Sequence, residues 1–405
     1  MKIWILAVGE PSPLDYGERL HRSGLMAEYY SNSGHDVVLF NSTFFHQKKI
    51  NRYSETTIVR SDDNLDLIFL WGREYHRNID PRRILSNFDN ARSFKKIIKD
   101  LQKPDIIIIS FPILELLTVA RKYAVKKRIP FIIDVRDFWP DVFYGVLPRA
   151  FDSLVCLLFS WFNFSINKSI NLSNIIISPF QSGIEWSKKR LKKKAGNPEM
   201  KVIPFTTPER HLGDYDQTIE SRFENAQESI VVAYLGTISN MADTGLILEL
   251  ARRSQELEKD VKFLICGDGP TKNDMEKKAN GLNNIEFKGW VNENKISEVL
   301  KYAHFGILTY QKEHLIKGVP NKFSDYLSFR LPIITNTKGA VGSLLNQHDL
   351  GIFFSEKNID GLFNELEEVT SNKKKYISKC MNVERFFNDN HSRRAVFKMF
   401  DDLLD

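Results

Sequence analysis

The feature that most constrains the fold is an alternation of short, continuous apolar runs with helical patterns. In the first half, the apolar runs predict strands at residues 2–8, 36–40, 105–110, 131–135 and 174–178, and helices are predicted at 17–33, 87–102 and 114–127. The runs lack the alternating polarity of a half-exposed strand, which favours strands buried on both faces of a parallel sheet. Strands that alternate with helices indicate βαβ units and a doubly wound α/β fold.

The same alternation restarts after a break at residues 204–227, which contain Pro204, Pro208 and Gly213. The predicted strands beyond it are 230–235, 261–266, 285–288, 305–308 and 333–335, and the predicted helices are 246–257, 271–280, 294–302, 322–329 and much of 375–404. Prolines and glycine interrupt both kinds of element, so the break predicts a domain junction.

Length and composition agree with two ordinary domains. The chain has 405 residues, of which 42% are hydrophobic and 27% charged, as in soluble globular proteins. We therefore predict an α/β chain of two Rossmann-like doubly wound domains that face a cleft, at residues 1–208 and 209–385. Residues 386–405 are predicted to form a C-terminal helix that crosses back to the first domain. Widely separated cysteines, with no metal-site spacing, predict reduced thiols and a cytoplasmic protein.

An apolar segment at residues 151–170 is followed by a basic run at 188–194. The apolar segment is too short and polar to span a bilayer, and no run of about 18 uncharged apolar residues occurs elsewhere. An interfacial helix with nearby lysines fits an anionic membrane surface. A buried helix beside a solvated, charged helix end fits the sequence equally well.

Glycine turns follow two neighbouring predicted strands of the second half. Gly236 follows strand 230–235, and Gly267 and Gly269 follow strand 261–266. Ligands of open α/β sheets bind beyond the carboxyl ends of the strands, and glycines let the backbone approach a phosphate. Either turn alone is an ordinary connection, whereas two turns on one sheet favour a phosphate site.

The stronger signal is the segment that begins at Pro320. Asn321 resembles an N-cap, which places Lys322 in the first helical turn, where a cation opposes the helix dipole. A cation at that place is explained if it meets a diphosphate. Asp325 lies one turn later on the same face and can accept hydrogen bonds from ribose hydroxyls. The alternative is a capped surface helix with an incidental charge pair.

Residues 320–335, PNKFSDYLSFRLPIIT, resemble the Pro-Asn-Lys segment of GT4-family glycosyltransferases, in particular WbuB-like bacterial enzymes of surface-polysaccharide assembly. Further stretches are similar to the family in the same order along nearly the whole chain. They are Gly17-x-Arg19, Gly34-His35, Asp134-x-Arg136-Asp137-x-Trp139-Pro140-Asp141, Val202-Ile203-Pro204, Gly236, Gly267-Asp268-Gly269-Pro270 and Phe287-x-Gly289-Trp290-Val291.

The resemblance implies a GT-B fold and a nucleotide-sugar donor, UDP- or GDP-linked, bound mainly by the second domain without a cofactor or an essential metal. It implies that the diphosphate is lined by glycines and neutralised by Lys322, that Asp325 holds the ribose, and that backbone flanks the base. The implied donor-binding residues are Gly17, Gly236, Gly267, Gly269, Trp290, Val291, Asn321, Lys322 and Asp325.

The sequence departs from the family pattern at three places. Lys317 stands where many relatives have the first of two glutamates, and Arg136 stands where many have a histidine. Thr237 and the Asp243-Thr244 region stand where many have a basic pair. On the acceptor side, we predict Asp137 as catalytic base, with Arg136 either orienting a phosphate or holding Asp137. An Arg–Asp pair that only braces the loop is the alternative.

The leading hypothesis is a retaining glycosyltransferase that acts on a polyprenyl-diphosphate-linked saccharide in O-antigen or capsule synthesis, at the cytoplasmic face of the membrane. A nucleotide-sugar 2-epimerase with the same double-Rossmann architecture is the alternative enzyme. A basic module that binds nucleic acid is disfavoured, because the lysine run lacks interleaved aromatic residues and no recognition signature is present.

Overall fold

The computed structural model describes residues 1–76, 80–141, 159–192, 197–207, 215–239, 242–291, 293–311 and 318–404. The chain divides into two compact units. The first contains Met1–Ile203 with Met399–Asp405, and the second contains Pro204–Lys398. The first junction therefore lies at the start of the proline-containing break, a few residues before the predicted boundary at 208. The second junction, between Lys398 and Met399, lies beyond the predicted boundary at 385.

The first unit contains an eight-stranded sheet of order β10-β9-β8-β7-β1-β2-β6-β5. Its strands are β1 (Lys2–Leu6), β2 (Asp36–Ser42), β5 (Thr57–Asp62), β6 (Leu65–Leu70), β7 (Ile106–Phe111), β8 (Phe131–Val135), β9 (Ile175–Ser178) and β10 (Glu199–Val202), while β3 (Phe44–Phe45) and β4 (Ile50–Asn51) form a separate antiparallel pair. All pairs in the large sheet are parallel except the edge pair β5–β6.

The order of this sheet follows from its sequence pattern. β1 lies at the centre with β2 and β6 on one side and β7, β8 and β9 on the other, which is the doubly wound order of Rossmann folds. Ile3, Trp4 and Ile5 are all buried, as expected for a central strand covered on both faces. The prediction of a parallel α/β sheet is confirmed for this unit.

Helices cover this sheet at α1 (Arg22–Asn32), α2 (Pro81–Ile97), α3 (Leu114–Lys127), α4 (Ser160–Leu172) and α5 (Gln181–Lys188). α1 begins later than the predicted residue 17, because Gly17 has a left-handed backbone (φ +80°) that interrupts a helix. α2 begins earlier than predicted, because Asp80 caps it by accepting a hydrogen bond from Arg82 N and Pro81 suits the first position. β3 to β6 lie where the sequence shows no readable motif.

The second unit contains a six-stranded parallel sheet of order β13-β12-β11-β14-β15-β16. Its strands are β11 (Ile230–Leu235), β12 (Val261–Cys266), β13 (Ile285–Gly289), β14 (Phe305–Leu308), β15 (Ile333–Thr335) and β16 (Gly351–Phe353). Numbered along the chain, this is the order 3-2-1-4-5-6 of dinucleotide-binding folds. The sequence predicts all of these strands except the last, which is short.

Helices of the second unit are α6 (Tyr215–Ala226), α7 (Thr244–Glu256), α8 (Lys272–Lys278), α9 (Glu293–Leu300), α10 (Asn321–Ser328), α11 (Ala340–His348), α12 (Ile359–Ser371) and α13 (Lys373–Asn390), and the last helix of the chain is α14 (Arg393–Asp401). None of the helices in the described ranges combines the length and apolar character needed to cross a membrane. The described parts of both units thus show the predicted α/β class.

The C-terminal end of the chain packs within the first unit. Tyr30 Oη donates a 2.7 Å hydrogen bond to the carbonyl oxygen of Phe400, and the Arg22 guanidinium lies 5.2 Å from the centre of the Phe400 ring. Lys201 Nζ donates to the carbonyl oxygen of Asp402 at 2.7 Å. These contacts join the last residues of the chain to the first unit, whereas residues 386–398 of the predicted C-terminal helix belong to the second unit.

Candidate functional site

The strand order of the second sheet reverses between β11 and β14. These two strands pair only at Val232–Phe305 and Ala233–Gly306, and they separate toward their carboxyl ends. In open α/β sheets, the crevice beyond such a reversal is the usual ligand site. The side chains at this crevice are therefore the first candidates for a binding site.

Lys322, in the first turn of α10, reaches this crevice. Its Nζ atom lies 4.2 Å from the ring centre of Tyr234, in β11, and 5.5 Å from that of Tyr310, which follows β14. A Cβ atom on Gly236 would lie only 3.3 Å from Nζ. Within the described ranges, the ammonium contacts these two rings and has no hydrogen bond or ion pair.

The charge of Lys322 is poorly compensated in this position. Burial lowers the pKa of Lys322 to about 8, and the nearby Asp325 carboxylate acts in the opposite direction. The faces of aromatic rings attract a cation by about 0.5–2 kcal/mol, less than the hydration that burial removes. A half-buried ammonium in such surroundings is suited to bind an anion.

The glycines of the two neighbouring loops allow these loops to pack closely on each other. A Cβ on Gly267 would lie 1.9 Å from the carbonyl oxygen of Gly236, and a Cβ on Gly269 would lie 2.3 Å from that of Ile238. The loops also pair through Gly236 N to Cys266 O and Ile238 N to Asp268 O, both at 2.9 Å. Packing of one loop on the other therefore explains Gly267 and Gly269 without a ligand. Their contact with a diphosphate stays a prediction.

Asn321 is not the N-cap of its helix, which corrects the prediction. Pro320 holds the extended backbone that precedes the first turn (φ −71°, ψ 153°), and Asn321 is the first helical residue. The cause is that Pro320 needs no N–H partner and has the fixed φ that suits this position. Lys322 remains in the first turn, as predicted. Asp325 is only 6% exposed, so its carboxylate is far less accessible than it would be if Lys322 and Asp325 formed an incidental charge pair on a surface helix.

Tyr326 organises the crevice, and the sequence analysis missed it. Its hydroxyl accepts a 2.9 Å hydrogen bond from Leu235 N and donates a 3.2 Å bond to Ile307 O, so it bridges β11 and β14 beyond their last shared pair. A Cβ on Gly306 would lie 2.4 Å from Tyr326 Cγ. The available signal was a glycine inside a predicted strand, which often marks a close approach of another group.

The predicted base-flanking residues lie after β13. The Trp290 side chain is 67% exposed, whereas Val291 packs against the hydrophobic core beneath the sheet. Gly289, which precedes them, accepts a hydrogen bond from Gly267 N at 2.8 Å, so this segment is fixed to the glycine loops. A nucleobase role for Trp290 and Val291 stays a prediction.

In the loop after β11, the uncharged Thr237 stands where many relatives have a basic residue. The carbonyl oxygen of Thr237 accepts a 2.9 Å hydrogen bond from Tyr234 Oη. Asp243, which makes this loop acidic, caps α7 by accepting a 3.0 Å hydrogen bond from Leu246 N. Its carboxylate therefore has a structural explanation. Lys317, the other departure from the family in this half of the chain, lies outside the described residues.

In the first unit, Arg136 belongs to a buried charge network. It donates 2.7 Å hydrogen bonds to Asp134 Oδ2 and Ser23 Oγ, and it also pairs with Glu10. Arg22 donates to the same Asp134 oxygen at 2.9 Å. Burial raises the pKa of Asp134, but Arg136 and Arg22 outweigh burial and lower it overall.

Arg136 therefore does not hold Asp137, which corrects that prediction. The physical reason is that Asp134, at the buried end of β8, requires a cation more than the neighbouring loop carboxylate does. The guanidinium donates to Asp134, Ser23 and Glu10, and the predicted phosphate-orienting role of Arg136 stays a prediction.

Asp137 lines a cavity of about 500 Å³ within the first unit. Its Oδ1 accepts a 2.7 Å hydrogen bond from Phe138 N, and burial raises its pKa while that hydrogen bond and the charge of Arg83 lower it less. The cavity lies at the carboxyl ends of β1, β2, β7 and β8, where the strand order reverses in this sheet too. Its polar lining includes Ser42, His46, Tyr75, Asp80, Arg83, Ser86, Asn87, Glu115 and Asp137.

Gly17 does not line this cavity. It is exposed, and a Cβ added to it would meet nothing within 4 Å. Its positive φ shapes the turn before α1. Open space beside the backbone is compatible with the predicted approach to a sugar phosphate, which stays a prediction. Among the residues that the structure describes, no group of three or more His, Cys, Asp or Glu side chains is arranged to hold a metal.

Comparison with known proteins now adds to this geometry. Residues 216–381 match the family Glycosyl transferases group 1. The chain is 22% identical over 144 residues to a 2-deoxystreptamine N-acetyl-D-glucosaminyltransferase of Niallia circulans. It is 24% identical over 259 residues to an uncharacterized glycosyltransferase of Methanocaldococcus jannaschii. These alignments cover 35% and 60% of the chain, and 36% and 58% of the two relatives.

Solved structures resemble the whole chain. Sucrose-phosphate synthase from Thermosynechococcus elongatus has a TM-score of 0.71 at 11% identity, covering 100% of this chain and 98% of its own. Anabaena HepE, solved with UDP and glucose, has a TM-score of 0.63 at 11% identity, covering 100% and 99%. WaaG, a glycosyltransferase involved in lipopolysaccharide biosynthesis, has a TM-score of 0.65 at 12% identity, covering 100% and 99%.

The solved structures show the GT-B fold, and residues 216–381, less than half of the chain, match the model of group 1 glycosyl transferases. The chain thus carries a glycosyltransferase domain, and the predicted resemblance to GT-B glycosyltransferases is confirmed. The narrower likeness to WbuB-like enzymes is not confirmed. None of the matched proteins named above favours the epimerase alternative.

Proposed function

We propose that this chain transfers a sugar from a nucleotide-sugar donor to a saccharide acceptor. The observation that carries the proposal is the position of Lys322, whose ammonium lies at the strand-order reversal of a group 1 glycosyltransferase domain, against Tyr234 and beside Gly236. A nucleoside diphosphate supplies the anion that this half-buried cation lacks. The Anabaena neighbour was solved with UDP, which makes UDP the first nucleotide to test.

The same position explains how Lys322 assists the reaction. Cleavage of the sugar–phosphate bond develops negative charge on the departing nucleoside diphosphate. A cation already fixed at that place lowers the barrier without reorganisation, and losing one such group commonly costs about 10²–10³ in rate. The reaction proposed here needs no metal, so chelation with EDTA is expected to leave the rate unchanged.

A polyprenyl-diphosphate-linked saccharide is the proposed acceptor, in the assembly of a surface polysaccharide such as O-antigen or capsule. The sequence resemblance of residues 320–335 supports this, as does the fold shared with WaaG. Retention of anomeric configuration is part of the same proposal. Anomeric coupling constants of the product, compared with those of the donor, test the stereochemistry directly.

Helix α4 supports a location at the inner face of the cell membrane. Its side chains Trp161, Phe164 and Leu172 are exposed, the first two by 48% and 65%, and their spacing places them on one helical stripe. Asn171, at the end of α4, donates to Arg190 O at 2.9 Å and accepts from Lys192 N at 2.8 Å.

The exposed aromatic stripe therefore lies beside the start of the basic run. Aromatic and basic side chains on one surface complement an anionic bilayer, which is the occupant we propose. The remainder of both predicted segments, at 151–158 and 193–194, lies outside the described residues.

The donor proposal is tested by a thermal-shift screen of the full chain against UDP-, GDP-, CDP- and ADP-sugars. A ligand that binds the folded state raises the apparent stability by mass action, by about 2.7 kcal/mol at 100 times its Kd. We expect one nucleotide class to raise the Tm of the wild-type chain and to do so much less for Lys322→Met. Equal shifts in both chains, or none with any nucleotide sugar, contradict the proposal. Conversion of the donor to its 2-epimer without an acceptor identifies the epimerase instead.

The membrane proposal is tested by co-sedimentation with vesicles that contain phosphatidylglycerol. Phe164→Glu is expected to reduce binding strongly, and rising salt is expected to weaken it. Tyr302→Glu, at an exposed aromatic residue in the second unit, is the matched control. Equal loss in both variants, or no binding by the wild-type chain, rejects the bilayer as the occupant of this stripe.

A further inference from the structure

The cavity of the first unit contains a group that the proposed function has not used. His46 follows β3, in the turn that leads to β4, and it lines the cavity together with Tyr75 and Asp137. A histidine in a cavity can donate or accept a hydrogen bond, and the partner of one ring nitrogen decides which role the other has.

The partners of His46 Nδ1 indicate which tautomer the ring adopts. Tyr75 Oη lies 2.8 Å from Nδ1, and Lys49 Nζ lies 3.0 Å from the same atom. A lysine ammonium carries three donors and no acceptor, so a hydrogen bond from Lys49 requires a lone pair on Nδ1. In the neutral ring the proton is then on Nε2. Within the described ranges, the structure records no partner for Nε2.

The three side chains hold one another in place. The Tyr75 ring packs against Phe44 with ring centres 4.6 Å apart and lies 5.5 Å from the His46 ring. Lys49 Nζ lies 4.8 Å from the centre of the Tyr75 ring. Lys49 itself adopts a left-handed backbone (φ +58°), which turns the chain between β3 and β4. These contacts hold Tyr75 and Lys49 in place, and the two side chains in turn fix the His46 imidazole.

The His46 ring stays neutral at physiological pH. Burial lowers its pKa to about 4, and the positive charges of Lys49 and Arg83 act in the same direction. A neutral imidazole with its proton on Nε2 is a hydrogen-bond donor that does not change with pH in the physiological range.

The remaining charges of the cavity indicate what kind of ligand meets this donor. Among the residues that the structure describes, the acidic lining residues are Asp80, Glu115 and Asp137, and Arg83 is the lining arginine. Burial raises the pKa of both Glu115 and Asp137, so the walls disfavour additional negative charge. A volume of about 500 Å³ lies within the usual range of about 300–1,000 Å³ for small-molecule sites.

We infer that the cavity of the first unit holds an uncharged sugar ring of the acceptor and that His46 Nε2–H donates a hydrogen bond to one of its hydroxyl oxygens, with Lys49 as the positioning residue. The inference rests on the proposed function and deepens it, because it names the chemical class of the ring that the acceptor presents. We expect a ring that carries a carboxylate or a phosphate to bind less well, because the lining contains three carboxyl groups.

The first test reads the tautomer without reference to activity. Long-range proton–nitrogen spectra of the full chain, labelled with ¹⁵N-histidine, assign the His46 signals by their loss in His46→Gln. We expect a protonated Nε2 and an unprotonated Nδ1 between pH 6 and pH 8. Lys49→Met is expected to weaken this preference, whereas Lys48→Met is not, because Lys48 pairs with Glu18 instead. A proton on Nδ1 in the wild-type chain overturns the inference.

The second test reads the ligand. Methyl glucoside, methyl galactoside, methyl mannoside and methyl N-acetylglucosaminide are titrated at millimolar concentration, with methyl glucuronide as the charged counterpart. We expect at least one neutral glycoside to shift the Nε2 resonance and the glucuronide to leave it unchanged. Equal shifts with the glucuronide, or no shift with any neutral glycoside, overturn the inference.

Kinetics separate this inference from the proposed function. His46→Phe keeps a ring but removes the donor, so we expect a KM for acceptor raised about tenfold with little change in kcat, as for one lost hydrogen bond. Its thermal shift with the nucleotide sugar should match that of the wild-type chain. A normal KM for acceptor overturns the inference and leaves the proposed function standing, whereas absence of nucleotide binding in the wild-type chain overturns the proposed function and the inference that rests on it.

Discussion

Lys322 extends its ammonium over the face of Tyr234, with Nζ 4.2 Å from the ring centre. The ring tolerates the charge, but it does not replace the water that the ammonium has lost, and burial accordingly lowers the pKa of Lys322 to about 8. The lysine is thus a source of instability in the free chain, and under the proposed function a bound diphosphate would supply the missing counter-charge.

The first prediction concerns replacement of this lysine. Lys322→Met keeps much of the stem and removes the charge, so we expect kcat/KM for the donor to fall about 10²–10³-fold. Because the buried charge is removed, the Tm of the ligand-free chain should rise. Lys288→Met removes a surface lysine that pairs with Glu286 and should change neither quantity. A fall in Tm together with the loss of activity points to a structural role for Lys322 instead.

The second prediction concerns protons. Near pH 8 about half of the ligand-free chain has a neutral Lys322, and a bound diphosphate raises the pKa of the ammonium. Binding should therefore take up protons near pH 8, and nucleotide affinity should be highest below that pH and weaken as pH rises through it. Calorimetric titrations in two buffers of different ionisation enthalpy measure the uptake. Uptake that persists in Lys322→Met assigns the proton to another group.

The third prediction concerns Gly306 and Tyr326. A Cβ at residue 306 would lie 2.4 Å from Tyr326 Cγ, so Gly306→Ala must displace the ring whose hydroxyl bridges Leu235 N and Ile307 O. We expect a loss in the free energy of unfolding of about 1–3 kcal/mol, or more if both hydrogen bonds break. Urea unfolding measures it, with Gly245→Ala as control, because its Cβ would meet only Asp243 Oδ1, at 3.5 Å.

Equal stability of Gly306→Ala and Gly245→Ala would contradict this account of the strand-order reversal. A double variant, Gly306→Ala with Tyr326→Leu, distinguishes the steric contact from the hydrogen bonds. If the ring is the obstacle, the two substitutions should cost less together than the sum of their separate effects.

Whether a structural feature could be predicted from the sequence depended on the kind of interaction that forms it. Buried strands such as β1 and β11 were predicted because continuous Ile and Val runs record burial directly in composition. The position of Lys322 in a first helical turn was predicted with Asn321 as the N-cap, and it holds although the cap is Pro320. The hydrogen-bonded bridge made by Tyr326 could not be predicted from the sequence, since it joins residues far apart in the chain and has no local pattern. The same holds for Gly267, whose missing side chain is explained by a carbonyl on another loop.

Arg136 shows the corresponding limit in the first unit. Its adjacency to Asp137 in the chain suggested a pair, but β8 directs Asp134 into the core, and the buried carboxylate captures the guanidinium. Sequence neighbours at the end of a strand point in different directions, so adjacency is poor evidence for an ion pair. The role of His46 as a hydrogen-bond donor could not be predicted from the sequence either, because its partners Tyr75 and Lys49 come from separate segments.

The fourth prediction concerns this buried charge network. Arg136→Met leaves Asp134 with fewer partners in the core, so the free energy of unfolding should fall by about 3–5 kcal/mol. The folded-state pKa of Asp134 is lowered, so its contribution to stability is present above the carboxyl's unfolded pKa and is lost as pH falls through the folded value. Urea unfolding at pH 7 and at pH 3 should show a smaller difference between wild type and variant at the lower pH.

The exposed pair of Arg253 and Asp360 provides the control for that comparison. Arg253→Met removes a surface ion pair, which is worth at most about 1 kcal/mol. If Arg136→Met costs no more than Arg253→Met, Asp134 finds other compensation and the network is not required for stability.

The fifth prediction concerns Asp137. As the proposed acceptor-side base, it must be ionised to take a proton from the acceptor hydroxyl, and burial raises its pKa above the ordinary carboxyl value. The rate should therefore fall on the acid side of the profile at a higher pH than an ordinary aspartate would give. Asp137→Asn should remove that limb and reduce kcat about 10²–10⁴-fold, because general-base catalysis contributes on that scale. Donor binding should be unchanged, since Lys322 lies in the other unit. If Asp137→Asn keeps the wild-type kcat, Asp137 only lines the cavity and is not the catalytic base. Glu115, which lines the same cavity and whose pKa burial also raises, is then the next candidate for the base.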